Sequence, residues 1–209
     1  SSTALTLSSL SHADAPPPQS TASIKSTNYQ EDDLLRNEVL FGELSRYDID
    51  VHQFQLITPV SRNSSLQING SYDSLSGASP WFTSADAEGE PIVNLSGASG
   101  IYDKRRELSV GGSYYFENDT LSASAGRSAE NDYTATFVNI GFAHELKNKL
   151  TTISLDASVS NDDIFPTDAN KFNRIESASK RSVSTALSVS HIINQFSTYQ
   201  TAISVTNQK

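Results

Sequence analysis

Apolar and polar residues trade places at every second position over much of this chain. Leu66, Ile68, Gly70 and Tyr72 alternate with Gln67, Asn69, Ser71 and Asp73. Ile153, Leu155, Ala157 and Val159 alternate with Thr152, Ser154, Asp156, Ser158 and Ser160. Val183, Thr185, Leu187, Val189 and His191 alternate with Ser182, Ser184, Ala186, Ser188 and Ser190. Successive side chains of a strand point to opposite faces. Each segment therefore has one apolar face and one face rich in Ser, Thr, Asn and Gln. The pattern predicts nine strands, at about 22–30, 47–58, 65–73, 105–117, 121–128, 133–145, 150–161, 182–193 and 197–207.

The connections fall into two classes. Ser61–Ser64, Glu117–Thr120, Leu146–Lys149 and Asn194–Phe196 are tight turns built on Asn, Asp and Lys. Asn and Asp tolerate left-handed backbone and bond their own main chain, so they collect in turns. The intervening connections, 31–46, 74–104, 129–132 and 162–180, are mostly long. Residues 31–46 are read as an extended loop, with a short helix on Leu34, Leu35, Val39, Leu40 and Leu44 as the alternative. Antiparallel strands bring the chain back to the same side at every second connection. Turns therefore gather at one end of the sheet and long loops at the other, as in outer-membrane barrels.

Two architectures accommodate these faces. A soluble β-sandwich buries its apolar faces between two sheets. A transmembrane barrel turns them to lipid and keeps a polar interior. The expected fold is all-β, an antiparallel up-and-down transmembrane β-barrel with about nine strands present and C-terminal strands missing. Nine is odd, and single-chain bacterial barrels have even strand numbers. Tyr114, Phe116, Phe142 and Tyr199 share parity with the apolar positions beside the turns, as an interfacial girdle would.

Composition narrows the class. The 209 residues are 36% hydrophobic with a formal net charge of −9. Nucleic-acid partners are not expected, because phosphate contacts need Lys and Arg clusters. Mean hydropathy is −0.38 and no run approaches the ~20 apolar residues of a spanning helix. A barrel strand needs only ~9–11 residues, half of them apolar, and hydropathy alone misses it. With no Cys in the chain, disulfides and thiolate metal sites are ruled out. Residues 1–13, SSTALTLSSLSHA, read as a signal-peptide remnant with small residues at Ser11 and Ala13. Residues 14–21 read as a flexible leader and 22–209 as the N-terminal portion of the barrel.

One tetrapeptide occurs twice in the longest loop. Ser76-Gly77-Ala78-Ser79 precedes Pro80-Trp81, and Ser96-Gly97-Ala98-Ser99 precedes IYDKRRELSVGGSYYF. With Glu130-Asn131-Asp132-Tyr133 and SNDDIFP at 160–166, the chain from about Ser26 onward resembles domain-of-unknown-function family 3570. That resemblance implies a Gram-negative outer-membrane barrel of which this chain is the N-terminal half to two thirds. It implies outer-membrane localisation, lipid and lipopolysaccharide as surroundings, and insertion by the barrel-assembly machinery. No activity and no site residue come with the family name.

The remaining chemistry is sparse. Gln67, Asn69, Asp73, Ser154, Asp156 and Ser158 are the candidate lumen-facing positions, with Ser184 beside them. The SGAS pair and Pro80 are a candidate structural loop motif, either packed inward or flexible. Asp32, Asp33, Asp86, Glu88, Glu90, Asp162, Asp163 and Asp168 make the long connections acidic, read mainly as solvated surface. They lack any ordered calcium-ligand spacing. Lys104, Arg105 and Arg106 either grip lipopolysaccharide phosphates or pair with Asp103 and Glu107. His12, His52, His144 and His191 lie in no catalytic signature. The chain is read as a non-enzyme without cofactors: a structural or passive-transport barrel, or an accessory to export. The alternatives are a barrel that binds partners through its long acidic loops, and a soluble secreted β-sandwich.

Overall fold

The computed structural model describes residues 15–33, 35, 44, 46–77, 81–85, 91–95, 101–147, 149–166, 169, 170, 173 and 175–209. Among the described residues the chain is all-β with eleven strands. They are β1 (Thr21–Gln30), β2 (Asp48–Ser61), β3 (Ser64–Gly77), β4 (Trp81–Ala85), β5 (Pro91–Leu95), β6 (Ile101–Tyr115), β7 (Asp119–Ala129), β8 (Tyr133–Glu145), β9 (Thr151–Ile164), β10 (Ala178–Asn194) and β11 (Ser197–Gln208).

Nine of these form one open antiparallel sheet in the order β1-β2-β3-β6-β7-β8-β9-β10-β11. Every neighbour in the sheet is the next sheet strand along the chain. The topology is therefore up-and-down, without Greek-key crossings. All nine expected strands are present. The expected loop 74–104 is corrected in part: β3 and β6 run into it from both sides, and β4 and β5 pair as a separate hairpin inside it. Trp81-Phe82-Thr83 and Ile92-Val93 supply the aromatic and β-branched residues that favour strands there.

Local chemistry fixes the turns. In the β2–β3 turn the Ser61 hydroxyl accepts from the Asn63 amide at 3.2 Å and meets the Ser64 hydroxyl at 2.7 Å. In the β10–β11 turn the Asn194 carboxamide oxygen accepts from the Phe196 amide at 2.9 Å, an Asx turn. The β8–β9 turn closes with Lys149 at φ 55° and its amide donating to Leu146 at 2.7 Å. These turns and the one after β6 lie at one end of the sheet. The connections after β1, β3, β7 and β9 lie at the other, as antiparallel order requires.

Candidate functional site

Direct cross-strand partners in an antiparallel pair share a face. The register therefore sorts every side chain of the sheet. One face carries Ser23, Gln55, Asn69, Ser109, Gly126, Phe137, Ser160 and Ser182 as a continuous row. A neighbouring row carries Lys25, Gln53, Ser71, Glu107, Ser128, Ala135, Asp162 and Lys180. The candidate positions Gln67, Asn69, Asp73, Ser154, Asp156 and Ser158 all lie on this polar face.

The opposite face is apolar. Ala22, Leu56, Ile68, Val110, Ala125, Val138, Val159 and Val183 form one row across it. The row nearer the turns holds Tyr114, Leu121, Phe142, Leu155, Leu187 and Ile203. Between these rows and the turn-side aromatics no position on the apolar face of the nine strands is charged, among the described residues.

Exposure of the two faces is inverted relative to a water-soluble sheet. Ile140 is 55% exposed, Leu155 49% and Leu187 50%, whereas Ser128 is 8%, Ser154 7% and Asp162 3%. Large apolar side chains stand exposed on one face and small polar ones are occluded on the other. Among the described residues only three alanines, Ala135, Ala143 and Ala169, make up the buried apolar set.

The polar face satisfies itself by lateral hydrogen bonds. Gln55 and Gln67 both donate to the Asn69 carboxamide oxygen, at 3.1 and 2.9 Å, and Asn69 donates to the Ser109 hydroxyl at 3.2 Å. This belt spans β2, β3 and β6. Asn139 donates to Ser124 at 3.1 Å across β7 and β8. At the long-connection end, Arg105 lies 3.6 Å from Asp73 and 3.2 Å from Glu107. Asp162 accepts from Ser160 and from the Tyr133 hydroxyl, and Lys180 lies 3.5 Å from it.

Asp162 revises the reading of 162–180 as a solvated acidic loop. β9 continues to Ile164 and β10 begins at Ala178, and their pairing carries Asp162 onto the polar face opposite Lys180. The alternation Ser158, Ser160, Asp162 carried that signal; an acidic pair in sequence hid it. The three basic residues on β6 also separate. Arg105 pairs on the polar face, while Lys104 and Arg106 stand on the apolar side near Tyr102 and Tyr72.

Residues 2–209 match the family described as Protein of unknown function (DUF3570). The chain belongs to the DUF3570 family. The match starts well before Ser26, where the resemblance was expected to begin. No curated protein and no solved structure matches the chain. For this DUF3570 chain, functional reasoning therefore starts from the two faces of the sheet.

Of the loop motif, Ser76 and Gly77 end β3, and Ala78, Ser79, Pro80, Ser96, Gly97, Ala98 and Ser99 lie outside the described residues. Asp86, Glu88, Glu90, Asp168 and His12 lie outside them too. The described histidines find ordinary partners. His52 stacks on Tyr72 with centroids 6.2 Å apart, His144 Nδ1 meets Asp119 at 2.7 Å, and His191 Nδ1 meets Thr151 at 2.8 Å.

Proposed function

We propose that this chain forms the wall of an outer-membrane β-barrel, with lipid against its apolar face and a hydrated lumen against its polar face. The observation that carries the reading is the inverted exposure of the two faces. An apolar face nine strands wide is far larger than the patches that soluble proteins leave to water. Lipid contact calls for such a face, and a hydrated interior suits the Ser, Thr, Asn and Gln opposite it.

Dimensions and borders support the same reading. Arg106 and Phe116 bracket the apolar band on and just beyond β6. Ten positions extend about 33 Å, or about 25 Å along a membrane normal at the usual strand tilt. Aromatic Tyr114, Phe116, Phe142 and Tyr199 border the turn side. The first and ninth sheet strands run the same way, so a fully antiparallel ring needs at least one more strand at an open edge. Closure removes those edges, which otherwise invite aggregation.

Within this reading the protein is a structural or passive-transport component of the outer membrane, or an accessory to export. It is assembled there by the barrel-assembly machinery, without catalysis or a cofactor. The lumen is lined mainly by small residues, which leaves room for water and solutes. Binding through the loops is the second reading, favoured by the gathering of long connections at one end.

The test is conductance of the intact protein in planar bilayers, with Asp156→Arg as the probe. A conducting lumen shifts its ion selectivity toward anions in the variant. Conductance that ignores the added charge removes the lumen assignment, and an absence of conductance in a membrane-inserted protein favours loop binding.

A further inference from the structure

At the long-connection end two cations of the polar face are ion-paired, whereas Lys25, on the same face of edge strand β1, has no ion pair among the described residues. On the polar face Arg105 is paired with Asp73 and Glu107, and Lys180 with Asp162. On the apolar side Lys104, Arg106 and Arg127 have no carboxylate within ion-pair distance among the described residues. Lys104 and Arg106 are two apart on β6 and therefore on one face. Arg127 on β7 pairs with Leu108, diagonal to Arg106. The three cations thus form one patch across two adjacent strands.

The patch sits at the border of the apolar band. Leu108 and Val110 continue β6 directly into that band, at 59% and 45% exposure. Two of the three cations are held by aromatic rings rather than by acids. Lys104 Nζ lies 4.9 Å from the Tyr102 ring centroid, and the Arg106 guanidinium carbon 5.9 Å from that of Tyr72. Ring contacts orient a cation without neutralising it. In a chain of net charge −9, three unneutralised cations side by side on one face call for an anionic partner.

We infer that Lys104, Arg106 and Arg127 form a binding site for the phosphorylated headgroup of a membrane lipid. The inference rests on the membrane reading above, because lipid against Leu108 and Val110 places its headgroup level with the patch. Guanidinium forks match phosphate oxygens bidentately, and Lys104 adds a flexible point charge. Tyr72 and Tyr102 fit the same depth, where amphipathic rings collect at headgroups. Arg181 stands at a similar level on β10, but three strands from Arg127, and lies outside the patch.

The experiment measures retention of lipid A carrying two phosphates by the intact detergent-solubilised protein, using native mass spectrometry. Dephosphorylated lipid A is the control, and inorganic phosphate the competitor. Removing one charge near a membrane surface weakens attraction about fivefold, so Lys104→Gln, Arg106→Gln and Arg127→Gln together should weaken retention about a hundredfold. Arg181→Gln should leave it within twofold. Equal retention by the triple variant, equal retention of dephosphorylated lipid, or displacement by millimolar inorganic phosphate each overturns the inference. A heat-dependent shift of the same sample in cold against boiled SDS tests the barrel separately. Lost patch dependence with that shift present sinks the lipid site alone; loss of the shift sinks the membrane reading with it.

Discussion

Phe137 lies across Gly126. The two are direct partners on β8 and β7, on the polar face, and the Phe137 ring fills the space a side chain at Gly126 would need. A Cβ built at Gly126 would stand 2.5 Å from Phe137 Cζ and 2.8 Å from the Leu108 carbonyl oxygen. The only large aromatic of the central polar row thus rests on a residue without a side chain, an arrangement that shields a glycine in a sheet.

Gly126→Ala should therefore destabilise the sheet by about 1–3 kcal/mol through overpacking. Phe137→Ala should not restore it, because the Leu108 carbonyl is backbone and cannot swing away. Urea unfolding of both single variants and the double variant checks this. Full rescue in the double variant would show that the ring alone was the obstacle.

Asp162 should prove costly to remove. It is nearly inaccessible and gathers Ser160, Tyr133 and Lys180 around one carboxylate. Asp162→Ala leaves those donors without their acceptor, at about 1–3 kcal/mol. Asp163, one position on and facing the other way, should cost within about 0.5 kcal/mol as alanine. Equal losses at both sites would contradict the face assignment from the β9–β10 register.

Two glutamates, in the connections after β1 and β7, should titrate on opposite sides of the ordinary value. Arg46 donates to Glu31 from Nε at 2.8 Å and the Tyr29 hydroxyl donates to it at 2.9 Å, holding its carboxyl below the usual range. Burial raises Glu130, and the Asp103 charge adds to this, against a smaller opposing pull from Arg105. The signs differ accordingly. Stabilisation from Glu31 is present above its unfolded value of about 4.3 and is lost as pH falls through its lower folded value. Glu130 works against folding at neutral pH, and that penalty fades as pH falls through its raised folded value toward 4.3. Carboxyl NMR titration reads both, and Glu130→Gln should stabilise the protein at pH 7 but not at pH 3.

A positive charge should be tolerated on one face of the sheet and not on the other. In a lipid-facing wall, Val138→Arg near mid-band costs about 2–4 kcal/mol, whereas Ser158→Arg on the polar face costs little. Refolding yields into vesicles of phosphatidylcholine compare the two. Similar losses would argue that the faces are not differently solvated.

Much of this was legible in the sequence because a two-residue period survives any tertiary context. Parity alone put Gln67, Asn69, Ser154, Asp156 and Ser158 on one face. Strand ends were harder to read. Beyond the expected ends, β9 and β10 extend through Asp162, Asp163 and Lys180, which have low strand propensity. Backbone ladders hold them there whatever the side chains are. The β4–β5 hairpin was hidden because five-residue strands barely establish a period. The different fates of Arg105 and Arg106 needed the register, which sets Asp73 opposite Arg105 and Tyr72 opposite Arg106.

The central claim is that lipid covers the apolar face. The chain has no Cys, so Val138→Cys and Asn139→Cys each offer a single labelling site on adjacent, oppositely directed positions of β8. A bimane on each, read in vesicles of brominated phosphatidylcholine, measures contact with acyl chains directly. Strong quenching at position 138 with little at 139 is the predicted result. Equal quenching at both, or none at 138 with the protein free in solution, would contradict the account and turn the apolar face toward a protein core.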